Sequence, residues 1–293
     1  MPDPEIVPFR WDLRRREQLG GLIEGEEDFD YPGFLDHLRD CTARVVATAG
    51  DSDLVFVGRS PESLFDYLSG LALQTSWFER LTLLQLSMRG WIGRTGKLLA
   101  QYPGAAMGLS AYLGELGLDP ATLKARPRPV ALIDMVSTGA TFGAFTAFLQ
   151  TWCGEVREDW GAVHRKLRYV GITEREKTRP KTWRWQQNND WVASVPEAVI
   201  KNVSAPTEFW SHLANFAAKT THSYGSRRWD MSEPAAPPRN PDQLRALRLA
   251  VRLFDAGCAR DERRRFAGLL ARQREMREPW LRALALELKG RGG

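Results

Sequence analysis

The sequence predicts an α/β protein built on a mainly parallel, doubly wound sheet flanked by helices, with a small helical extension at its C-terminal end. Three observations carry this. Two short apolar runs, Asp53 to Val57 and Val130 to Ile133, each lead through a small-residue loop into a segment with apolar residues at helical spacing. Strand-like runs at Arg80 to Met88, Lys166 to Ile172 and Glu197 to Val203 alternate with helical patterns, the order that parallel strands joined by crossover helices require. Beyond the Pro-rich stretch Met231 to Pro241 the pattern is helical throughout.

Residues 1–30 are charged and broken by Pro and Gly, with a short helix expected near Asp12 to Gln18. Tyr31 to Ala47 reads as a helix whose Phe34, Leu35, Leu38, Cys41 and Val45 cover the sheet. The strand Asp53 to Val57 ends at Gly58 and meets helix-start signals at once: Ser60 as N-cap, Pro61 at the first helical position and Glu62 in the first turn. Leu64, Phe65, Leu68 and Leu71 continue that helix. Arg80 to Met88 alternates as a strand, and Arg89 to Lys97 is a connection rich in glycine and basic residues. Ala111 to Lys124 reads as the helix that returns the chain to the sheet.

Pro129 to Cys153 is the most informative stretch. Its apolar run ends at Asp134, Ser137-Thr138-Gly139-Ala140-Thr141 follows, and Phe142, Phe145, Phe148, Leu149 and Trp152 then recur at helical spacing. The first turn of a helix has unpaired N–H groups and a partial positive charge, so a loop of this kind is suited to an anion. Gly139 lets a phosphate approach the backbone, Ser137, Thr138 and Thr141 offer hydroxyls, and Asp134 can accept from sugar hydroxyls or hold a hydrated Mg²⁺. An ordinary helix cap uses the same residue types, and the local pattern alone does not separate the two.

Past the strand Lys166 to Ile172 comes a charged loop, Thr173 to Pro180, and then Thr182 to Trp191 with three Trp among amide side chains. Such a stretch suits stacking on a base, a packed lid or a partner surface. Thr207 to Thr220 is expected as a helix with Phe209, Leu213 and Phe216 inward. The composition divides the chain into an α/β domain, 1–231, and a basic helical extension, 241–293. Asn240-Pro241 starts the extension, Leu244, Leu247, Val251 and Phe254 face its core, and Gly257 ends its first helix. Helices over Asp261 to Glu278 and Trp280 to Lys289 complete it.

The 293 residues are 43% hydrophobic and 26% charged, as in a soluble globular protein. The net charge of +5 lies in the extension, where 13 Arg and Lys face 7 Asp and Glu from Pro241 onward, a net of +6 that leaves −1 for the rest. A uniformly basic nucleic-acid-binding body is therefore not supported. Met135 to Gly154 is uncharged but carries four Thr, three Gly, a Ser and a Gln, so it reads as a buried helix rather than a membrane span. The first residues lack the apolar run of a signal peptide, and a cytoplasmic location is expected. Cys41, Cys153 and Cys258 are scattered, as are the four His, in no metal-ligand spacing.

The string from Val130 to Thr141 resembles the phosphoribosyl-pyrophosphate signature of type I phosphoribosyltransferases, and the chain looks like a divergent member of that family. Asp134 matches the second of the signature's two acids, Met135 and Val136 its apolar pair, and Ser137 to Thr141 its 5′-phosphate loop. Ile133 stands where the first acid belongs, and Asp66, Glu174 and Asp190 are the candidates to replace it. The resemblance implies a phosphoribosyltransferase-type glycosyltransferase of nucleotide metabolism, with Asp134 in catalysis and Gly58, Arg59 and Ser60 on the pyrophosphate. It implies Mg²⁺ carried by the substrate's pyrophosphate, a phosphorylated ribose ligand and a nitrogenous or nucleobase-like acceptor. Arg89 to Lys97 falls where that family has a closing loop. The missing acid also admits a non-catalytic sensor of ribose phosphates, and the basic extension admits an adaptor. No membrane partner is expected, nucleic acid is disfavoured, and a homodimer is left open.

Overall fold

The strands are β1 (Asp53–Val57), β2 (Leu81–Leu84), β3 (Val130–Met135), β4 (Leu167–Glu174) and β5 (Ile200–Ala205). In the computed structural model, which describes residues 8–25, 27–88, 91, 97, 101–175, 184–196, 199–229 and 239–290, they form one sheet in the order β2-β1-β3-β4-β5. Every pair is parallel, with Phe56 opposite Ile133 and Asp134 opposite Gly171. β3 is buried at all six positions, as expected of a central strand covered on both faces. The sheet and its flanking helices form the doubly wound α/β arrangement expected from the alternating pattern.

Helices of six or more residues are α1 (Phe34–Ala49), α2 (Glu62–Ala72), α3 (Pro103–Glu115), α4 (Pro120–Ala125), α5 (Ala140–Glu155), α6 (Pro241–Cys258), α7 (Arg260–Leu270) and α8 (Pro279–Leu288). One face of the sheet, through Phe56, Ala131 and Ile133, shares a core with α1, α2 and the C-terminal helices. The other, through Val55, Val130 and Leu132, shares one with α3 and α5. Period-two alternation thus sends Ile133 and its neighbours in β3 to opposite layers.

The C-terminal helices sit directly on the sheet's helical layer. A Cβ on Gly70 of α2 would run into the backbone of Phe254, and one on Gly257 of α6 into the Tyr67 carbonyl and, at 2.7 Å, the Leu71 nitrogen. Gly257 lies inside α6, so it permits backbone contact rather than ending the helix as its sequence position suggests. Arg39 of α1 makes a bidentate pair with Glu262 of α7 at 2.6 and 2.9 Å, and the Tyr67 hydroxyl donates to the same carboxylate at 2.7 Å. Much of the basic charge is matched at home: Arg245 and Arg248 pair with Glu27, and Arg252 with Asp28.

Other expectations are revised. The helix expected over Ala111 to Lys124 is two, because Gly117 at φ +64° turns the chain and the Asp119 carboxylate caps a new start at Pro120. Ser60 does not cap α2, whose N-cap is Pro61 without a side-chain bond. The Thr207–Ser211 helix passes into a π-turn, His212–Phe216, whose wider winding leaves Phe216 76% exposed instead of inward. Most of the glycine-rich basic connection and of the charged loop after β4 lies outside the described residues.

Candidate functional site

The strand order reverses between β1 and β3: the chain steps from β1 outward to β2, then returns to the far side of β1. Loops leaving β1 and β3 therefore diverge to opposite layers, and a crevice opens between them at the strands' carboxyl ends. A cavity of ≈ 440 Å³ occupies this position. Gly58, Arg59 and Ser60 line it from β1, and Asp134 with Ser137 to Thr141 from β3. All nine residues singled out in the sequence thus border one space.

The β1 loop is fixed by its backbone. Gly58 has φ +77°, donates its N–H to the Leu84 carbonyl at 2.7 Å, and would set a Cβ 3.1 Å from the Leu86 carbonyl. Arg59 Nη1 donates to the Thr221 carbonyl at 3.2 Å. The strap Lys219 to Ser223 is tied in turn to α2, where buried Glu62 accepts from the Thr220 N–H and the Thr221 hydroxyl, both at 3.1 Å. Arg10 lies 3.5 Å from Glu62 and pairs with Asp66, whose carboxyl is pushed up to about 6 by burial against the pull of that arginine. Asp66 is thus committed to Arg10 and does not supply a second site acid.

The β3 loop is fixed by side chains from another segment. Gly139, at φ +78°, is the N-cap of α5, and the room a Cβ would need is filled by the indole of Trp185. Gly171 on β4 and Gly143, one turn along α5, likewise leave room for Trp185 and Trp191, which stack with centroids 6.0 Å apart. Trp185 is 0% exposed and donates from Nε1 to Asn202 Oδ1 at 2.8 Å. Asn189 Nδ2 donates to the Thr138 carbonyl at 2.7 Å. Trp185, Asn189 and Trp191 therefore buttress the loop, and Trp185 is not a platform for a base; Thr182 and Trp183 lie outside the described residues. Gly139 is required first by this indole, a reason its place before a helix did not reveal.

Asp134 lies within β3 rather than after it and is 7% exposed. Burial pushes its carboxyl up to about 7, against hydrogen bonds from the Met135 N–H and the Thr141 hydroxyl. Thr141 therefore spends its proton on Asp134. For an anion there remain first-turn N–H groups of α5, whose N-cap Gly139 has no side chain to cap them, and the exposed residue Thr138. Ile133 is 0% exposed in the α1–α2 layer. Asp134 is the one carboxylate lining the cavity among the described residues, where no group of three or more His, Cys, Asp or Glu that could hold a metal occurs. The described residues thus include no cluster that would hold Mg²⁺ by protein ligands alone.

Sequence reasoning missed Lys219, which lines the cavity with Asn215 and Ser223. Burial lowers its pKa to about 8, with the Arg59 charge adding to the shift and Glu62 and Asp30 opposing it. Lysine in a polar stretch after a helix carries no motif; it is the strap's ties to Glu62, Arg59 and Arg10 that hold it at the sheet edge. No described helix is long and apolar enough to cross a membrane. Compared with protein-family models, with curated proteins and with solved structures, the chain matches none.

Proposed function

We propose that the cavity between β1 and β3 binds a phosphorylated ribose, and that the protein transfers the phosphoribosyl group from phosphoribosyl pyrophosphate to a nitrogenous acceptor. The observation that carries this reading is the meeting of the Gly58–Ser60 and Ser137–Thr141 loops around one cavity that the buried carboxylate of Asp134 also lines. The 5′-phosphate lies on the α5 N-terminus, where first-turn N–H groups behind a glycine N-cap and the helix dipole favour an anion. Asp134 accepts from ribose hydroxyls. Its raised pKa falls on binding, because hydroxyl donors favour the ionised carboxylate. In the reaction, the bond from the anomeric carbon to the pyrophosphate oxygen breaks and a bond from the acceptor nitrogen forms. Arg59 meets the charge gathered on the leaving group, and the protein's contribution is orientation and charge stabilisation.

A second reading, a sensor that binds the same ligand without turnover, is favoured by Ile133. Its burial in the opposite layer leaves Asp134 as the sole lining carboxylate among the described residues for two ribose hydroxyls. Titration with phosphoribosyl pyrophosphate and Mg²⁺, followed by an assay for released pyrophosphate over a panel of nucleobases and small nitrogen acceptors, separates the two. Release supports the transferase; binding weakened by Asp134→Asn, with no release for any acceptor, supports the sensor. Absence of binding to phosphoribosyl pyrophosphate and to ribose 5-phosphate would sink both.

A further inference from the structure

The cavity has a cation that neither strand loop supplies. Lys219 comes from the strap after the π-turn, and its Nζ donates to the Leu213 carbonyl at 2.7 Å. An ammonium has three donors, so this bond leaves two for a ligand. Arg59 lies close enough to lower the lysine's pKa, yet one of its own donors is engaged by the Thr221 carbonyl. The groups facing Lys219 are Arg59 from the β1 loop, Glu62 from α2 and Asp30 from the segment before α1, with Asp134 across the same cavity. Glu62 is held by Arg10 and by two donors of the strap itself, and among the described residues neither Lys219 nor Arg59 forms an ion pair with a carboxylate. Two cations brought together in partial burial are costly when the cavity is empty, and an anion between them relieves the cost.

We propose that Lys219 and Arg59 form an anion subsite on the β1 side of the cavity that takes the diphosphate of the ligand, with Lys219 as its principal charged contact. This rests on the ribose-phosphate reading and extends it, since the charge comes from the strap rather than from the loop after β1. The ligand class is a ribose phosphate carrying a diphosphate separate from the phosphate on α5. Anchoring the strap through Glu62 couples this subsite to α2, and filling it holds Lys219 in its charged form.

The test is calorimetric titration of the full chain with inorganic pyrophosphate and, separately, with ribose 5-phosphate, for wild type, Lys219→Met and Lys219→Arg. At about pH 6.5, Lys219→Met should weaken pyrophosphate binding about tenfold or more, as loss of a charged hydrogen bond does, and change ribose 5-phosphate binding by less than about threefold. Between about pH 6.5 and about pH 9 the wild type should lose pyrophosphate affinity more steeply than Lys219→Arg, whose charge persists. Equal pyrophosphate affinity in wild type and a folded Lys219→Met variant overturns the assignment. So do parallel pH profiles for wild type and Lys219→Arg, a comparison that decides the matter if the methionine variant does not fold. Lys219-dependent pyrophosphate binding without ribose 5-phosphate binding would keep the subsite and sink the ribose reading. Ribose 5-phosphate binding with pyrophosphate indifferent to Lys219 would do the reverse.

Discussion

The loops after β1 and β3 look alike in sequence, each an apolar strand, a glycine, hydroxyl residues and a helix, yet they are held in opposite ways. Gly58 is fixed by its own backbone, bonded to Leu84 and pressed against Leu86. Gly139 is fixed by an indole that arrives from between β4 and β5 and fills a slot left by Gly139 and Gly171. The first support is backbone on backbone and survives most side-chain changes; the second is a side chain and depends on one large residue. A shared motif therefore specifies a shape without specifying what maintains it.

The widest gap between the two loops should open with Trp185→Ala. Emptying the slot under Gly139 should cost about 3–5 kcal/mol in chemical denaturation, and ribose 5-phosphate binding should fail before pyrophosphate binding does. A cost under about 1 kcal/mol would mean that the indole does not support the β3 loop. Ile133→Asp should be comparably damaging, because it buries a carboxylate in the α1–α2 layer and restores no contact in the cavity. A well-folded Ile133→Asp protein with tighter ligand binding would contradict the layer assignment.

Asp134→Asn sharpens the comparison through pH. A carboxyl held near 7 in the folded chain and near its ordinary value when unfolded binds more protons in the folded state between those values, so stability falls as pH rises through that window. The unliganded Asn variant should be more stable than wild type above neutrality, by about 2–4 kcal/mol, and indistinguishable at about pH 4 or below. Thermal melts across pH would show this. A variant less stable than wild type at high pH would refute the buried-acid account.

Smaller effects belong to the β1 side. Glu62→Gln keeps the shape but weakens the acceptor for Thr220 and Thr221, and should cost about 1–3 kcal/mol while loosening pyrophosphate binding. Ser60→Ala should change stability by less than about 0.5 kcal/mol, since Ser60 makes no cap; a loss near 1 kcal/mol would restore the capping role.

The strands and most helices were legible because burial on both faces of β3 and β4 leaves near-continuous apolar runs, and α1 and α6 carry clear periodicity. The candidate loops were legible for the same local reason: glycine and hydroxyl residues at a strand's end announce a turn. What no local pattern carries is the long-range partner. Trp185 reads as a ligand platform until Gly139, Gly143 and Gly171 are seen to leave room for the indoles. Lys219 reads as a surface lysine until the strap is seen to cross the sheet edge. Phe216 misled because helical spacing was extended through a segment that widens into a π-turn.

Gly70 and Gly257, the pair that lets α2 and α6 meet backbone to backbone, also sets an order of events during synthesis. Chains are made from the amino end, and a helix face that needs a later partner waits uncovered until it emerges. The layer that holds Glu62, and through it the strap with Lys219, is unfinished until residues 241–258 have left the ribosome. Until then the sheet can assemble, and the β3 loop with its tryptophans can close over α5. The β1 side of the cavity matures last, so the half-made chain acquires its phosphate loop before the groups that would grip the rest of the ligand.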